Sequence, residues 1–377
     1  MYASKKRFLE RLTPKFASAK FGTKIDGSSP PGLFIGRIGY PKVFVGPLVT
    51  EQKGDTMLMD TPEQWLAARL NASDVSSIRM QLARGMKLVR ITDLDNKTVG
   101  QIRDIALASR SIGASAEFLK QPRGYTFNEH HQPFGPSAPL KSMEIDNVSY
   151  EKHMEKAHHD TDMGARSALV ALYEKGLLVS QLQKALSVGA FGLQKKRKLV
   201  PTRWSITAVD DTISKNLLDD VKTYPIIDNY QVYEFGAMDN YFAILLTPTS
   251  WQYEFLEAFM LARGEMIFSD WEPYGGRTKY AGMGGCYYST RLSVAEKLNS
   301  MKRQSGAIVF RESYPNYVPL GVWLVRESSR GALNSRPKEF DNMKSALYYI
   351  STKLQLPFWK YKKQSTLLKQ STLSRFC

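Results

Sequence analysis

The stretch YQVYEFGAMDNYFAILLT, residues 230–247, contains two strand-like runs, 230–235 and 241–247, with no helix between them. Helical patterns lie on both sides of it, at 211–222 and at Ser250–Ala262. A doubly wound parallel sheet needs strict alternation of strand and helix, and this order of elements lacks it. The sequence therefore predicts an α+β fold, in which helices are mixed with short, partly antiparallel sheets and a flexible C-terminal tail follows.

The same mixture of elements extends outward from this stretch. Two short strand-like runs, Leu33–Gly36 and Val43–Val45, are joined by a turn around Gly39 and Pro41. Periodicity and capping residues predict the remaining elements. These are helices at about 62–70, 74–84, 99–109, 162–175, 178–188, 290–303 and 338–353, and strands at 267–269, 307–310 and 322–325.

Prolines and glycines divide the chain into three predicted regions. Residues 1–26 form a basic N-terminal segment, residues 27–358 form the body, and residues 359–377 form a flexible basic tail. Within the body, residues 120–147 are interrupted by four prolines and two glycines. This irregular region is either a long functional loop or a soft boundary between two subdomains.

Charge is concentrated at the two ends of the chain. Of 377 residues, 52 are Lys or Arg and 36 are Asp or Glu, which gives a net charge of +16. Residues 1–20 carry +5 and residues 353–377 carry +6, so the body is only weakly basic. Basic ends either steer a protein toward polyanions such as nucleic acid or simply keep it soluble.

The two cysteines, Cys286 and Cys377, are too few for a disulfide framework or a Cys-based zinc site. No apolar run approaches the ~20 residues that span a bilayer, and the N-terminus lacks the apolar core of a secretory signal. These features predict a cytoplasmic protein with no membrane partner.

The last eight residues contain Gln370, Leu373 and Phe376 at intervals of three. In a 3₁₀-like turn, residues at that spacing point the same way, so a peptide could place all three side chains in one groove of a partner. The pattern resembles the PIP box, the peptide by which replication and repair proteins bind the sliding clamp PCNA. Cys377 departs from it, because it occupies the position of the second aromatic residue. The alternative is a chance match at a frayed terminus.

Four further stretches have an unusual composition. They are GSSPPGLFIGRIGYPKV (27–43), RKLVPTRWSITAVDD (197–211), DWEPYGGRTKYA (270–281) and RESYPNYVPLGVWLVRE (311–327). Taken with the tail, they resemble the archaeal Nre family of DNA repair proteins. That resemblance implies an archaeal cytoplasmic protein that acts with PCNA in the repair of DNA damage. Some members carry a Cys-rich, zinc-finger-like N-terminus, which this chain lacks. The resemblance transfers no catalytic residue.

A run of basic residues followed directly by a tryptophan lies between residues 195 and 204. Cations beside an aromatic ring suit contact with phosphates together with base stacking. Two more cations stand beside glycine-rich turns, where they are candidates for holding a phosphate. The candidates for binding nucleic acid or a nucleotide are Lys195, Lys196, Arg197, Lys198, Arg203, Trp204, Arg37 and Lys42. The alternative is a solvated loop with Trp204 in the core.

Candidate metal ligands follow the histidine pair His158-His159. Asp160, Asp162 and Asp210 are the carboxylates available to hold a divalent metal such as Mg²⁺ or Mn²⁺. The alternative is that Asp162 and Asp210 lie at helix ends as caps.

A Gly/Pro-rich loop contains Asp270, Glu272 and Arg277. Loops of this kind often line sites, and a carboxylate pair suits acid–base work or metal binding. These three residues are the catalytic candidates. A structural ion-pair network with Arg277 explains them equally well.

Three functions remain open from the sequence. The first is a DNA repair factor whose body binds DNA or a nucleotide and whose tail binds PCNA. The second is a phosphoesterase or nuclease that uses a divalent metal held by the carboxylates named above. The third is a scaffold that joins PCNA to another repair protein without touching DNA. The sequence is compatible with both an enzymatic and a non-enzymatic role.

Overall fold

The structure is a computed structural model that describes residues 19–261 and 264–370. The chain divides into two compact units. The first consists of the described part of Thr13–Ile213 with Pro319–Trp323, and the second of the described parts of Ser214–Val318 and Leu324–Cys377. Across the described ranges, no helix combines the length and the apolar character that crossing a bilayer requires.

The first unit is built on a six-stranded sheet. Its elements, in chain order, are β1 (Lys24–Ser29), β2 (Leu33–Ile35), β3 (Lys42–Val49), α1 (Pro62–Trp65), α2 (Ala72–Met80), β4 (Ala83–Arg90), α3 (Lys97–Leu107), β5 (Ile112–Phe118), β6 (Ser137–Ile145), α4 (Lys152–His159), α5 (Ala165–Glu174), α6 (Val179–Ser187) and α7 (Thr202–Val221), which begins here. The strand order is β1-β5-β6-β4-β3-β2. Strands β4 and β6 are parallel, and the other neighbours are antiparallel.

Helix α3 shows how sequence periodicity produces this packing. The Asn96 side chain accepts a hydrogen bond from the Thr98 amide at 3.0 Å and so caps the helix. Val99, Ile102 and Ile105 follow at helical spacing and are all buried, and the helix lies against β3 and β6. The predicted helix and its apolar face are confirmed.

The two predicted aspartate caps are wrong. Helix α7 begins at Thr202 rather than near 211, so Asp210 lies inside it. Helix α5 begins at Ala165 with Gly164 as its N-cap, and Asp162 makes no cap. Helix α7 has extra turns before residue 211, because the stretch of mixed polarity at 202–211 has no clear period of its own. Helix α5 instead starts three residues later than predicted.

Residues 120–147 belong to the first unit in the structure. Strand β6 occupies 137–145 and pairs with both β5 and β4 near the middle of the sheet. The preceding residues fold back on themselves through paired backbone hydrogen bonds between Thr126 and Phe134, at 2.9 and 3.0 Å. The prolines therefore lie in a turn and a strand of one unit and do not mark a boundary between subdomains.

The second unit contains the other six-stranded sheet. Its elements are β7 (Tyr230–Ala237), β8 (Asn240–Thr247), β9 (Tyr253–Leu261), β10 (Gly264–Glu272), α8 (Gly285–Met301), β11 (Gly306–Ser313), α9 (Val322–Leu333), β12 (Lys338–Phe340), α10 (Met343–Lys353), α11 (Phe358–Gln364) and a 3₁₀ turn (Leu367–Lys369). The strand order is β10-β9-β11-β8-β7-β12, with β11 and β9 parallel. Two mixed sheets with segregated helices make this an α+β protein, as predicted.

Strand β9 replaces the helix predicted at 250–262. Its residues are buried from Tyr253 to Phe259, so both faces of the strand are covered. Glu254 and Glu257 stand three residues apart and imitate the polar face of a helix in the sequence. In the structure both carboxylates are buried: Glu257 pairs with Arg311 of the neighbouring strand β11.

The C-terminal segment is folded as far as the structure describes it, so the predicted mobile tail is wrong for residues 359–370. The Tyr361 hydroxyl donates to the buried Glu312 carboxylate at 2.8 Å. The carboxylate of Glu254 accepts the amides of Thr366 and Leu367, at 2.7 and 3.0 Å, and the hydroxyl of Ser365. Two buried glutamates of the sheet thus hold this segment, and residues 371–377 lie outside the described chain.

Candidate nucleic-acid interface

The basic run 195–203 forms a loop that is pinned to the first unit by its backbone. The Leu199 amide donates to the Ile91 carbonyl at 2.8 Å, and the Val200 amide donates to the Ser187 carbonyl at 2.8 Å. Gly189 allows this approach, because a Cβ there would lie 2.7 Å from the Lys198 carbonyl oxygen. The loop then enters α7, whose first turn carries Trp204.

A hairpin between β2 and β3 carries the other two predicted cations. The Gly36 amide donates to the Phe44 carbonyl at 2.7 Å, and the Lys42 amide donates to the Gly39 carbonyl at 2.9 Å. Gly39 has a φ of +86°, a conformation that favours glycine, so the hairpin turns tightly there. Arg37 and Lys42 are both exposed on this turn.

The fold brings these two distant segments together. The Ile35 amide of β2 donates to the Thr202 hydroxyl at 2.9 Å. The rings of Tyr40 and Trp204 lie 5.1 Å apart between centroids, at an angle of 54°. The predicted cations of the hairpin and those of the loop therefore flank one pair of exposed aromatic rings.

The adjoining strands extend this surface with residues that sequence reasoning did not select. Lys42 stands opposite Arg90 across the β3–β4 pair, and Phe44 stands opposite Leu88. Side chains directly opposite in an antiparallel pair share one face, and all four residues are exposed here. The alternation of buried Val43 and Val45 with exposed Lys42 and Phe44 was the available signal.

The surface is positively charged and little neutralised. We call it the loop–hairpin surface, and it consists of Arg37, Tyr40, Lys42, Phe44, Arg90, Lys195, Lys196, Lys198 and Trp204. Within the part of the chain that the structure describes, no carboxylate lies within ion-pair distance of its six cations. Trp204 is 45% exposed and Tyr40 is 42% exposed, so cations and accessible rings stand side by side.

Arg197 and Arg203 have different surroundings from the lysines. Arg197 donates to the carbonyls of Gly192, His158 and Asp160, each at 2.7 Å. Burial lowers its pKa. Its guanidinium therefore ties the loop to the end of α4. Arg203 is half-buried, and its charge acts inward on His131.

A small cavity of the first unit is lined by an ionic cluster. Asp60 pairs with Arg79 at 2.5 Å and with Lys184 at 3.3 Å, and Thr202 also lines the cavity. Nearby, burial lowers the pKa of His131 to about 3, with help from the charges of arginines that include Arg79. This histidine is therefore neutral at physiological pH.

The candidate metal ligands are not brought together. The Asp160 carboxylate accepts the amides of Asp162 and Met163, at 3.1 and 2.9 Å. Asp210 is buried on α7 and accepts the Gln183 side chain at 3.0 Å. Over residues 19–261 and 264–370, no group of three or more His, Cys, Asp or Glu side chains could hold a metal ion.

The catalytic candidates lie in the second unit, and each carboxylate has its own arginine. Asp270 pairs with Arg277 and accepts the Gly282 amide at 2.6 Å. Glu272 is buried, pairs with Arg291 at 2.9 Å and accepts the Trp251 indole at 3.2 Å. Arg277 therefore does not bridge the two carboxylates, and Glu272 joins β10 to α8.

The predicted clamp-binding residues fall at the edge of the described chain. Gln370 is exposed and follows the 3₁₀ turn 367–369. Leu373 and Phe376 lie outside the described residues. Leu367 is buried three residues before Gln370, so the motif starts directly after an anchored part of the second unit.

Comparison with known proteins finds family models that match almost the whole chain. The family model described as archaeal Nre, N-terminal, matches residues 5–263, and the model described as archaeal Nre, C-terminal, matches residues 272–376. No solved structure matches the chain.

Three curated proteins are similar over nearly their whole length. DNA repair protein NreB of Archaeoglobus fulgidus is 41% identical over 93% of this chain and 91% of its own length. DNA repair protein NreA of the same organism is 32% identical over 99% of this chain and 93% of its own length. DNA repair protein NreA of Haloferax volcanii is 30% identical over 95% of this chain and 90% of its own length.

Proposed function

The chain belongs to the archaeal Nre family, and we propose that it is a DNA repair factor that binds DNA through the loop–hairpin surface and is recruited to the sliding clamp PCNA by its C-terminal peptide. The names of its relatives support the repair role. A cytoplasmic location remains a prediction.

One observation carries the DNA-binding part of this proposal. Two segments about 160 residues apart in sequence meet at the Tyr40–Trp204 ring pair, and both bring unneutralised cations. The cations can contact the phosphates of DNA, and the accessible rings can stack with an unstacked base or a sugar. A solvated loop would need no such convergence, and Trp204 is not in the core.

DNA binding is tested with the full chain and a fluorescein-labelled oligonucleotide, by anisotropy at several salt concentrations. Replacing Lys195, Lys196 and Lys198 by Ala should flatten the slope of log K against log salt by up to about 0.9 per lysine on duplex DNA. Trp204→Ala should retain the slope on single strands and weaken binding by about 1–3 kcal/mol, the value of a base–aromatic stack.

A matched control removes three exposed lysines from the β1-β5-β6 half of the same sheet, away from β2 and β3. Lys24, Lys120 and Lys141 are exposed on or next to β1, β5 and β6. The triple Ala variant has the same net charge as the loop variant. Equal weakening by both variants would show only a general charge effect and would contradict the proposed surface.

Recruitment is tested by deleting residues 371–377, because residues 364–370 are part of the folded second unit. Seven residues reach at most about 25 Å when fully extended, so the clamp would bind close to that unit. The deletion, and Leu373→Ala with Phe376→Ala, should abolish binding to immobilised PCNA. Ser371→Ala with Ser374→Ala is the control. Clamp binding that survives the deletion would move the interface to the folded chain.

The phosphoesterase alternative has less support from the geometry. Asp270 and Glu272 each form an ion pair with a separate arginine, and the Asp160 carboxylate accepts hydrogen bonds from backbone amides. Hydrolysis of a nucleotide or DNA panel that depends on Mg²⁺ or Mn²⁺ and stops with EDTA would favour the enzyme. If the chain binds PCNA but no DNA, the scaffold alternative is favoured instead.

A further inference from the structure

The C-terminal helices of the second unit form a layer over one face of its sheet. Helix α10, helix α11 and the turn 367–369 contribute Ala346, Ile350, Tyr361 and Leu367 to a single apolar cluster with the strands. Helix α10 packs against β7 and β12, and α11 packs against β10 at the other edge of the sheet. Six strands spaced about 4.8 Å apart make this layer roughly 25 Å wide.

The outer side of this layer has one sign of charge. Residues 342–370 contain six lysines and no Asp or Glu. Lys360 pairs with Glu265 of β10. Within the described chain, no carboxylate lies within ion-pair distance of the other five, which are Lys344, Lys353, Lys362, Lys363 and Lys369.

Two large aromatic side chains stand out from the same layer. Tyr348 on α10 is 73% exposed, and Trp359 on α11 is 62% exposed. Neither is needed for the apolar cluster, which is filled from the opposite faces of the two helices. The Lys360 ammonium lies 5.7 Å from the centroid of the Trp359 ring. Exposed rings beside lysines are the combination that stacks a base and contacts the neighbouring phosphates.

We propose that this layer, defined by Tyr348, Trp359, Lys344, Lys353, Lys362 and Lys363, is a second nucleic-acid site and that its ligand is single-stranded DNA. The bases would stack on the two exposed rings, and the lysines would contact the phosphates between them. Duplex DNA does not offer its base faces, so the exposed rings favour a single strand. The choice of DNA over RNA rests on the proposed repair function.

The site lies directly before Gln370, where the clamp-binding motif starts. Lys362 and Lys363 are separated from that residue by only the anchored segment 364–369. A clamp bound to the motif would therefore hold this layer near the DNA that the clamp encircles, which raises the local concentration of the strand without a new contact.

The test measures binding of labelled oligo(dT) to the full chain by anisotropy, with melting temperature as the folding control. Trp359→Ala should weaken binding about 5- to 150-fold, the effect of removing one stacked base, whereas Trp359→Phe should retain most of it. Lys362→Ala with Lys363→Ala should flatten the salt dependence. Tyr280→Ala with Lys279→Ala is the matched control, because Tyr280 is 58% exposed in the same unit but outside the layer.

The same variants in a chain that also lacks Lys195, Lys196 and Lys198 separate the two surfaces. If the loop variant binds normally while Trp359→Ala loses binding, this inference stands and the loop–hairpin surface is wrong. Unchanged oligo(dT) binding by Trp359→Ala and by the Lys362 and Lys363 variant in both backgrounds would overturn the inference. Equal or tighter binding of oligo(U) would overturn the assignment to DNA.

Discussion

Ser365→Ala is predicted to destabilise the second unit by weakening the attachment of the C-terminal segment to Glu254. Both residues are fully buried. The Ser365 hydroxyl donates to the carboxylate, which also accepts the Thr366 amide at 2.7 Å, the Leu367 amide at 3.0 Å and the Ser269 hydroxyl at 2.7 Å. The substitution removes one of these four donors and adds no volume, so the Glu254 carboxylate stays buried with three hydrogen-bond donors instead of four.

The expected magnitude follows from the charge on the acceptor. A hydrogen bond to a charged group contributes about 1.5–3 kcal/mol, roughly twice a neutral one. A domain of about 150 residues shifts its melting temperature by about 2–4 °C for each kcal/mol. We therefore expect Ser365→Ala to melt about 3–12 °C below the wild-type chain, and deletion of residues 364–377, which removes three of the four donors, to melt at least as low.

Thermal unfolding followed by circular dichroism measures this shift, and limited trypsin digestion localises it. Release of the segment should speed cleavage after Lys362 and Lys363, because α11 then opens more often. Deletion of residues 371–377 is the control and should melt with the wild type. If Ser365→Ala melts within 1 °C of the wild type and resists trypsin equally, the anchor described here does not stabilise the unit.

The remaining predictions concern both units. His131 has a pKa of about 3 in the folded protein and of about 6.5 in the unfolded chain. The unfolded chain therefore binds the extra proton, and the free energy of unfolding falls by about 1.4 kcal/mol per pH unit as the pH drops from 6.5 toward 3. His131→Gln should flatten that slope in urea titrations at several pH values. Arg311→Met leaves the buried Glu257 carboxylate without its guanidinium and should cost about 3–5 kcal/mol in urea unfolding, much of it recovered by adding Glu257→Leu. Asn96→Ala removes the cap of α3 and should cost about 1 kcal/mol, measured in the same way.

Local patterns in the sequence were sufficient for several elements and for the charged residues of the candidate surface. The apolar spacing of Val99, Ile102 and Ile105 predicted α3, because a helix that packs on a sheet needs one apolar face. The two runs around residue 239 predicted β7 and β8. Arg37, Lys42 and the lysines at 195–198 were selected from composition alone, because Lys and Arg carry a positive charge wherever they lie; only the structure showed that the carbonyls of Gly192, His158 and Asp160 engage Arg197, which was selected with them.

Local patterns did not predict the elements that are buried on both faces. Strand β9 carries two buried glutamates whose partners, Arg311 and Ser365, are far away in the sequence, so its polar positions imitated a helix. Residues 322–325 were predicted as a strand and form the start of α9, since a short apolar run fits a buried helix as well as a strand.

The sequence by itself determined the family, the α+β class and which side chains carry positive charge, because these depend on residue identity and local spacing. Only the tertiary structure decided which of them act together. The meeting of Tyr40 with Trp204 depends on the Ile35–Thr202 hydrogen bond, which spans 167 residues. The docking of residues 365–367 depends on a carboxylate 111 residues earlier. Contacts at such separations are set by how the sheets and helices pack, and no local pattern records them.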